Sequence, residues 1–203
     1  QDVVTLRFGN APLGSLLITK VSDDEKHTPL SDVEFLLTDS SGNFIGTNNG
    51  RYVTNSAGEI LVEGLTPGTT VVARVVRAKP GYLLDDSPHY ALTRSGETVG
   101  LGFRNAPAGN LVIVKRSSSG THEPLEGVEF KITYADGSFV PDENGQLSSN
   151  GLYYTDREGR ITISGVVGSL VVTETASIPG YTIDEATRTQ TVVVHPNDTQ
   201  TLY

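Results

Sequence analysis

The chain has 203 residues, 36% of them hydrophobic and 19% charged, with 22 Gly, 10 Pro and no Cys. That is apolar enough for one or two modest cores, and it excludes a disordered chain, a disulfide scaffold and any thiolate chemistry. A net charge of −9, with no basic run longer than two residues, argues against nucleic acid and anionic membrane as partners.

No apolar stretch approaches the roughly 20 residues of a membrane helix. Met is absent and no basic-then-apolar segment opens the chain, so the sequence reads as an excised piece of a longer one. In chain order, residues 1–12 come first. Thr5-Leu-Arg-Phe-Gly-Asn10-Ala-Pro12 is a near copy of Gly100-Leu-Gly-Phe-Arg-Asn105-Ala-Pro107, and is expected to be the closing strand of a preceding repeat plus a linker. Residues 13–107 form the first repeat. Apolar alternation at Leu16/Ile18, Val33/Phe35/Leu37, Ile60/Val62 and Val99/Leu101/Phe103 predicts short strands. Turns at Asp39–Gly42, Ser56–Gly58, Thr66–Gly68 and Arg94–Gly96 separate them. Residues 108–203 form a second repeat. There Gly109–Lys115 echoes Gly14–Lys20, Val128-Glu-Phe130 echoes Val33-Glu-Phe35, and Pro179-Gly-Tyr181 echoes Pro80-Gly-Tyr82. It ends at Tyr203, about where its own Phe-x-Asn would begin. The expected fold is all-β, two tandem β-sandwich domains. The short, Pro-stiffened joint Asn105–Gly109 predicts rods rather than beads on a string.

Parity singles out the polar residues. Side chains at i, i+2 and i+4 of a strand share a face. Lys20 is in phase with Leu16 and Ile18, Lys115 with Leu111 and Ile113, and Glu174 with Leu170 and Val172. Asn105 is in phase with Phe103 and Leu101, and Asn10 with Phe8 and Leu6. A lone charge in the interior costs several kcal/mol, so such groups shift toward neutral forms. A neutral amine is a nucleophile, and a carboxylic acid can polarise an amide carbonyl. Lysine attack on the asparagine amide, with loss of ammonia, would leave an isopeptide crosslink. The plain alternative is that each polar residue sits where its strand emerges into water.

Each repeat resembles the collagen-adhesin B-type, or prealbumin-like, domains of Gram-positive surface adhesins and SpaA-like pilins. The resemblance rests on Leu-x-Ile-x-Lys (Lys20, Lys115), Pro-Leu-x-x-Val-Glu-Phe, the Thr-Asn/Asp-x-x-Gly turns (Thr54–Gly58, Thr155–Gly159), Val172-Thr-Glu174-Thr, Pro-Gly-Tyr, and the closing Phe103-x-Asn105. It implies a prealbumin-like or Ig-like sandwich of about seven strands per repeat. It also implies an autocatalytic Lys–Asn bond between first and last strands, assisted by a Glu. Carried over by position, the first repeat supplies Lys20 and Asn105. The second supplies Lys115 and Glu174, the proton shuttle, with its Asn beyond Tyr203. Asn10 would serve the preceding repeat, or a neighbouring molecule's second repeat by strand donation. In the first repeat the position of Glu174 falls to Val75 or Arg74; neither is an acid, and the apolar phase favours Val75 as the inward residue.

Other candidates have plainer readings. His27 and His122 are equivalent loop residues without ligand partners at zinc spacing, and His89 and His195 have no nucleophile nearby in sequence. Asp142, Glu143 and Asn144 offer oxygens but not the alternating pattern of a calcium loop. Asn197-Asp-Thr199 is a glycosylation sequon, meaningful only in a secreted eukaryotic protein. Tyr153, Tyr154 and Tyr181 suit an exposed aromatic patch or core packing. No metal, cofactor or turnover chemistry is expected. The resulting reading is a stalk segment of an extracellular, wall-attached Gram-positive adhesin or pilin, partnered by adjacent repeats of the same polypeptide. The alternatives are a module binding a host extracellular-matrix protein or glycan, and an accessory domain of a carbohydrate-active enzyme.

Overall fold

The structure, a computed structural model, describes residues 4–141 and 146–203. Its elements are almost all strands, and each repeat contributes seven of them among the described residues.

In the first repeat, β1 (Gly14–Ser22), β4 (Glu59–Leu65) and β7 (Thr98–Asn105) form a three-stranded sheet in the order β4-β1-β7. The strands β2 (Glu34–Asp39), β3 (Arg51–Val53), β5 (Thr70–Arg77) and β6 (His89–Leu92) form a four-stranded sheet in the order β3-β2-β5-β6. Alternation decides which face of each strand is interior. Leu16, Ile18, Phe35, Leu37, Val71, Ala73 and Val75 are all fully buried, one set from each sheet. Each such aliphatic or aromatic side chain contributes roughly 1.5–3 kcal/mol by leaving water. Between β2 and β3 the chain turns on Asp39, whose Oδ1 accepts from the N–H groups of Ser41 and Asn43.

The second repeat repeats the plan. The strands β8 (Gly109–Val114), β11 (Arg160–Val166) and β14 (Thr199–Leu202) form one sheet, β11-β8-β14. The strands β9 (Glu129–Tyr134), β10 (Leu152–Tyr154), β12 (Gly168–Ala176) and β13 (Thr189–Val194) form the other, β10-β9-β12-β13. The first and last strands of this repeat, β8 and β14, run parallel, with Thr199 opposite Asn110 and Leu202 opposite Ile113. Leu111, Ile113, Phe130, Ile132, Ile163 and Leu170 build a core drawn from both sheets. By compactness the chain divides into residues 1–77 with 85–104, and residues 78–84 with 105–203. The segment 78–84 falls in the second unit because Leu83 N–H donates to Ala106 O and Ala108 N–H to Gly81 O.

Residues 4–13 form no strand, although their phase is intact: Phe8 is 94% exposed and Val4 and Leu6 also face solvent. An extended segment needs a neighbouring strand to satisfy its N–H and C=O groups, and among the described residues none pairs with it. Lys115 lies one residue past the end of β8. Tyr153 belongs to the core and donates its hydroxyl to Val140 O at 2.7 Å, whereas Tyr154 and Tyr181 are outward and donate to Glu129 and Glu123. The acidic loop residues Asp142, Glu143 and Asn144 lie outside the described residues.

Candidate functional site

The site in each repeat is built around the lysine that follows the opening strand's core residues. In the first repeat the backbone of Lys20 is clamped from two sides. Its N–H donates to Gly58 O at 2.8 Å, and its carbonyl accepts from Leu30 N–H at 2.9 Å. This explains two of the recurrent motifs. The turn ending in Gly58 approaches so closely, at φ +73°, that a Cβ there would stand 2.4 Å from Lys20 O. Thr54, at the head of the same turn, is buried. Its hydroxyl donates to Leu30 O and accepts from Val33 N–H. The same clamp holds Lys115: its N–H donates to Gly159 O, its carbonyl accepts from Leu125 N–H, and Thr155 bridges Leu125 and Val128.

The side chains differ. Lys20 is 1% exposed, and its Nζ lies 5.9 Å from the Phe35 ring centroid and 5.4 Å from that of Phe103. These two rings meet edge to face at 4.9 Å. Burial pushes the Lys20 ammonium down to about 8, against the opposing attraction of the Asp85 carboxylate. The aromatic faces offset part of that desolvation through cation–π attraction. Asn105 ends β7, two residues past Phe103 and therefore on the same side of the strand. It too is 1% exposed. Since β1 and β7 are hydrogen-bonded neighbours, Lys20, two residues before the end of β1, and Asn105, which ends β7, are buried polar residues on adjacent strands of one sheet. An interior lysine near neutrality is a nucleophile, and a side-chain amide is an acyl group it can attack.

The wall of the first chamber carries no glutamate. Val75 lies opposite Phe35, as Glu174 lies opposite Phe130, and Val75 is fully buried while Arg74 is exposed. The glutamate of the Val-Glu-Phe motif does not substitute for it. Glu34 sits on the outer face, where Arg51 and Arg77 bind it.

In the second repeat the acid is present. Lys115 Nζ stands 2.9 Å from Glu174 Oε2, the glutamate being 5% exposed and the lysine side chain 26%. Glu174 Oε1 is buried and makes no hydrogen bond to any described residue. A cavity of about 40 Å³ opens beside the pair, lined by Phe130, Val172, Gln190, Leu202 and Tyr203. Lys115 is the more open of the two lysines, and Leu202 and Tyr203 line the cavity beside it. Asn10 is exposed, in the segment without strand structure, and is not brought to a lysine.

Two residues near Lys20 escaped sequence reasoning. His89 stacks on Phe103 with ring centroids 4.0 Å apart and planes 16° apart. It occupies the position that Gln190 has in the second repeat, since His89 pairs with Ala73 as Gln190 pairs with Val172. The parity of His89 with buried Ala91 was a usable signal. Asp85 lies in the loop before β6, and its Oδ1 accepts from Ser87 N–H at 3.0 Å. Hydrogen bonds from Ser87, and then the positive charges of Lys20 and His89, hold its carboxyl below the usual range. His27 and His122 occupy matching exposed turns at positive φ. Among the described residues no cluster of His, Cys, Asp or Glu is arranged to hold a metal ion.

The shaft pilin SpaA from Lactobacillus rhamnosus GG, at 17% identity, aligns over 92% of this chain and 96% of its own, with a TM-score of 0.50. A streptococcal ancillary pilin, at 19% identity, aligns over 93% of this chain and 61% of its own, with a TM-score of 0.54. The Bacillus anthracis TIE protein is 24% identical over 94% of this chain, with a TM-score of 0.43. This chain spans about a third of that protein's length and less than two thirds of the ancillary pilin's. No curated protein matches the chain. The model of the SpaA prealbumin-like fold domain matches twice, over residues 14–106 and 109–203. With both sandwiches accounted for by that model, the chain belongs to the SpaA prealbumin-like domain family.

Proposed function

We propose that this chain is a structural stalk segment of a Gram-positive surface adhesin or pilus, and that its first repeat locks itself with an amide between Lys20 and Asn105. The observation that carries this reading is Lys20 itself. It is a fully enclosed lysine beside two aromatic rings, with its amine lowered to about 8, two residues before the end of β1, the strand next to the one that Asn105 closes. A lysine with no chemical role would be expected to reach for water instead.

The reaction balances without a cofactor. The neutral Lys20 Nζ attacks Asn105 Cγ, a C–N bond forms, and Nδ2 leaves as ammonia with the proton that the amine gives up. It is a single turnover and not enzymatic activity in the usual sense. The bond would close a loop from residue 20 to residue 105, and would replace the staple that a Cys-free extracellular domain lacks. In the second repeat Lys115 and Glu174 are the corresponding amine and acid. Adjacent repeats of the same polypeptide are the proposed partners, and the cell-wall surface is the proposed location. No helix among the described residues is long and apolar enough to cross a membrane.

The intact mass of the denatured protein tests this reading. One ammonia less than the sequence mass, with peptide mapping that joins Lys20 to Asn105, is the expected result. A full mass together with separate Lys20 and Asn105 peptides would overturn the crosslink.

A further inference from the structure

We infer that Asn49 is a modification site of the first repeat: the peptide nitrogen of Gly50 cyclises onto the Asn49 side-chain amide, and water opens the ring to aspartate and isoaspartate. The inference uses none of the residues of the crosslink reading and stands apart from it.

Asn-Gly stands at matched places in the two repeats, Asn49-Gly50 ahead of β3 and Asn150-Gly151 ahead of β10. A third Asn-Gly, at 144–145, lies outside the described residues. Glycine leaves the attacking nitrogen least hindered, because it carries no Cβ.

In the second repeat both reacting groups are tied down. The Gly151 N–H donates to Ser148 Oγ at 2.9 Å, and Asn150 Oδ1 accepts from Leu152 N–H at 3.0 Å. In the first repeat Thr47 stands where Ser148 does, and its side chain makes no such capping bond. Asn49 is exposed, and among the described residues none hydrogen-bonds its side chain.

The backbone differs as well. Arg51 N–H donates to Asn48 O, and between them Asn49 (φ 52°, ψ 39°) and Gly50 (φ 71°) form the left-handed pair of a type I′ turn. Flipping the Asn49–Gly50 peptide converts this to a type II′ turn, which keeps the positive φ of Asn49. The flip swings the Gly50 nitrogen to the Cβ side of Asn49, where a five-membered ring can close. Asn150 is not at positive φ and has no such route.

The atoms balance with water as the only co-reactant. The Gly50 nitrogen bonds to Asn49 Cγ, the Cγ–Nδ2 bond breaks, and Nδ2 leaves as ammonia with the proton that the Gly50 N–H gives up. Water then adds to one of the two ring carbonyls and breaks its bond to the nitrogen, restoring the Gly50 N–H. Opening at Cγ leaves aspartate. Opening at the backbone carbonyl leaves isoaspartate, which adds one carbon to the main chain ahead of β3.

The test ages the full chain in heavy-oxygen water, folded and in parallel in concentrated urea, and maps its peptides by mass spectrometry for wild type and Ser148→Ala. In the folded protein the Asn49 peptide should take up heavy oxygen, as a mixture of aspartate and isoaspartate, at least about tenfold faster than the Asn150 peptide. That is the order of magnitude expected when two hydrogen bonds must first be broken. In urea the two rates should converge. Ser148→Ala should speed Asn150 and leave Asn49 unchanged. Equal rates in the folded chain, a faster Asn150, or aspartate without isoaspartate at Asn49 would each overturn the inference. An Asn150 that stays slow in Ser148→Ala would overturn the part given to the Ser148 bond. The ring intermediate weighs the same as a Lys20–Asn105 amide but lies within one peptide instead of joining two, so either reading can fail without the other.

Discussion

The two lysine chambers share one backbone and differ in what surrounds the amine. Lys20 and Lys115 are held by the same pair of hydrogen bonds, to a turn glycine and to the leucine of Pro-Leu. Yet the first is sealed by Phe35 and Phe103 and faces a valine wall, while the second is partly open and meets a glutamate at 2.9 Å. The backbone clamp therefore decides where a lysine stands, and the rings of Phe35 and Phe103 help to keep the first one dry. The identity of one wall residue, Val75 or Glu174, decides whether the ammonium has a close counter-charge.

The largest way to break this comparison is to remove the first repeat's proposed lock. Asn105→Ala should leave the protein at full mass and lower the first repeat's stability by about 4–5 kcal/mol, the model-dependent value for closing a loop of this length. Urea unfolding with a fluorescent label on each repeat checks it: the first transition should move to lower denaturant and the second should stay.

The same variant sharpens the electrostatic side. In an unlinked first repeat, Lys20 titrates at about 8 in the folded state and about 10.5 unfolded. The unfolded chain then binds more protons between those values, so stability rises with pH across that window. The penalty is fully present below about pH 8 and relieved above about 10.5, a span of about 3 kcal/mol. Asn105→Ala should therefore unfold at higher urea at pH 10 than at pH 7.5, an increment that Lys20→Met in the same background abolishes.

The smallest expected effect is a symmetric one. Gly58→Ala and Gly159→Ala each drive a Cβ to 2.4 Å from a lysine carbonyl at positive φ. Each should destabilise its own repeat by about 1–3 kcal/mol. Thermal unfolding of the two variants should give similar losses, since the clamp is what the repeats have in common. Unequal losses would mean that the two turns are not equivalent.

Much of this was legible in the sequence because strand parity is a local property. Lys20, Asn105 and Glu174 share a phase with leucines, valines and a phenylalanine on their own strands, and all three are buried. The choice of Val75 over Arg74 followed from the same two-residue period. What was not legible depends on how distant segments meet. The loop before β6 takes its path from the Leu83–Ala106 hydrogen bond, a contact that no periodicity encodes. His89 shares a phase with buried Ala91, but that one pair is the whole of its signal in a four-residue strand, and its stacking on Phe103 is a contact between distant segments. Residues 4–13 have the phase of a strand without being one, because alternation records a side-chain preference whereas a strand also requires a partner's backbone.

The parallel pairing of β8 with β14 has a directional consequence. In parallel neighbours the N-terminus of one strand and the C-terminus of the other lie at opposite ends of the ladder. A force drawn in at Gly109 and out past Leu202 therefore slides the strands along each other. The bonds from the Thr199–Asn110 pair to the Leu202–Ile113 pair must give way together in shear rather than open one at a time from an end. The second repeat's topology thus resists pulling along its first and last strands even before any covalent bond is formed.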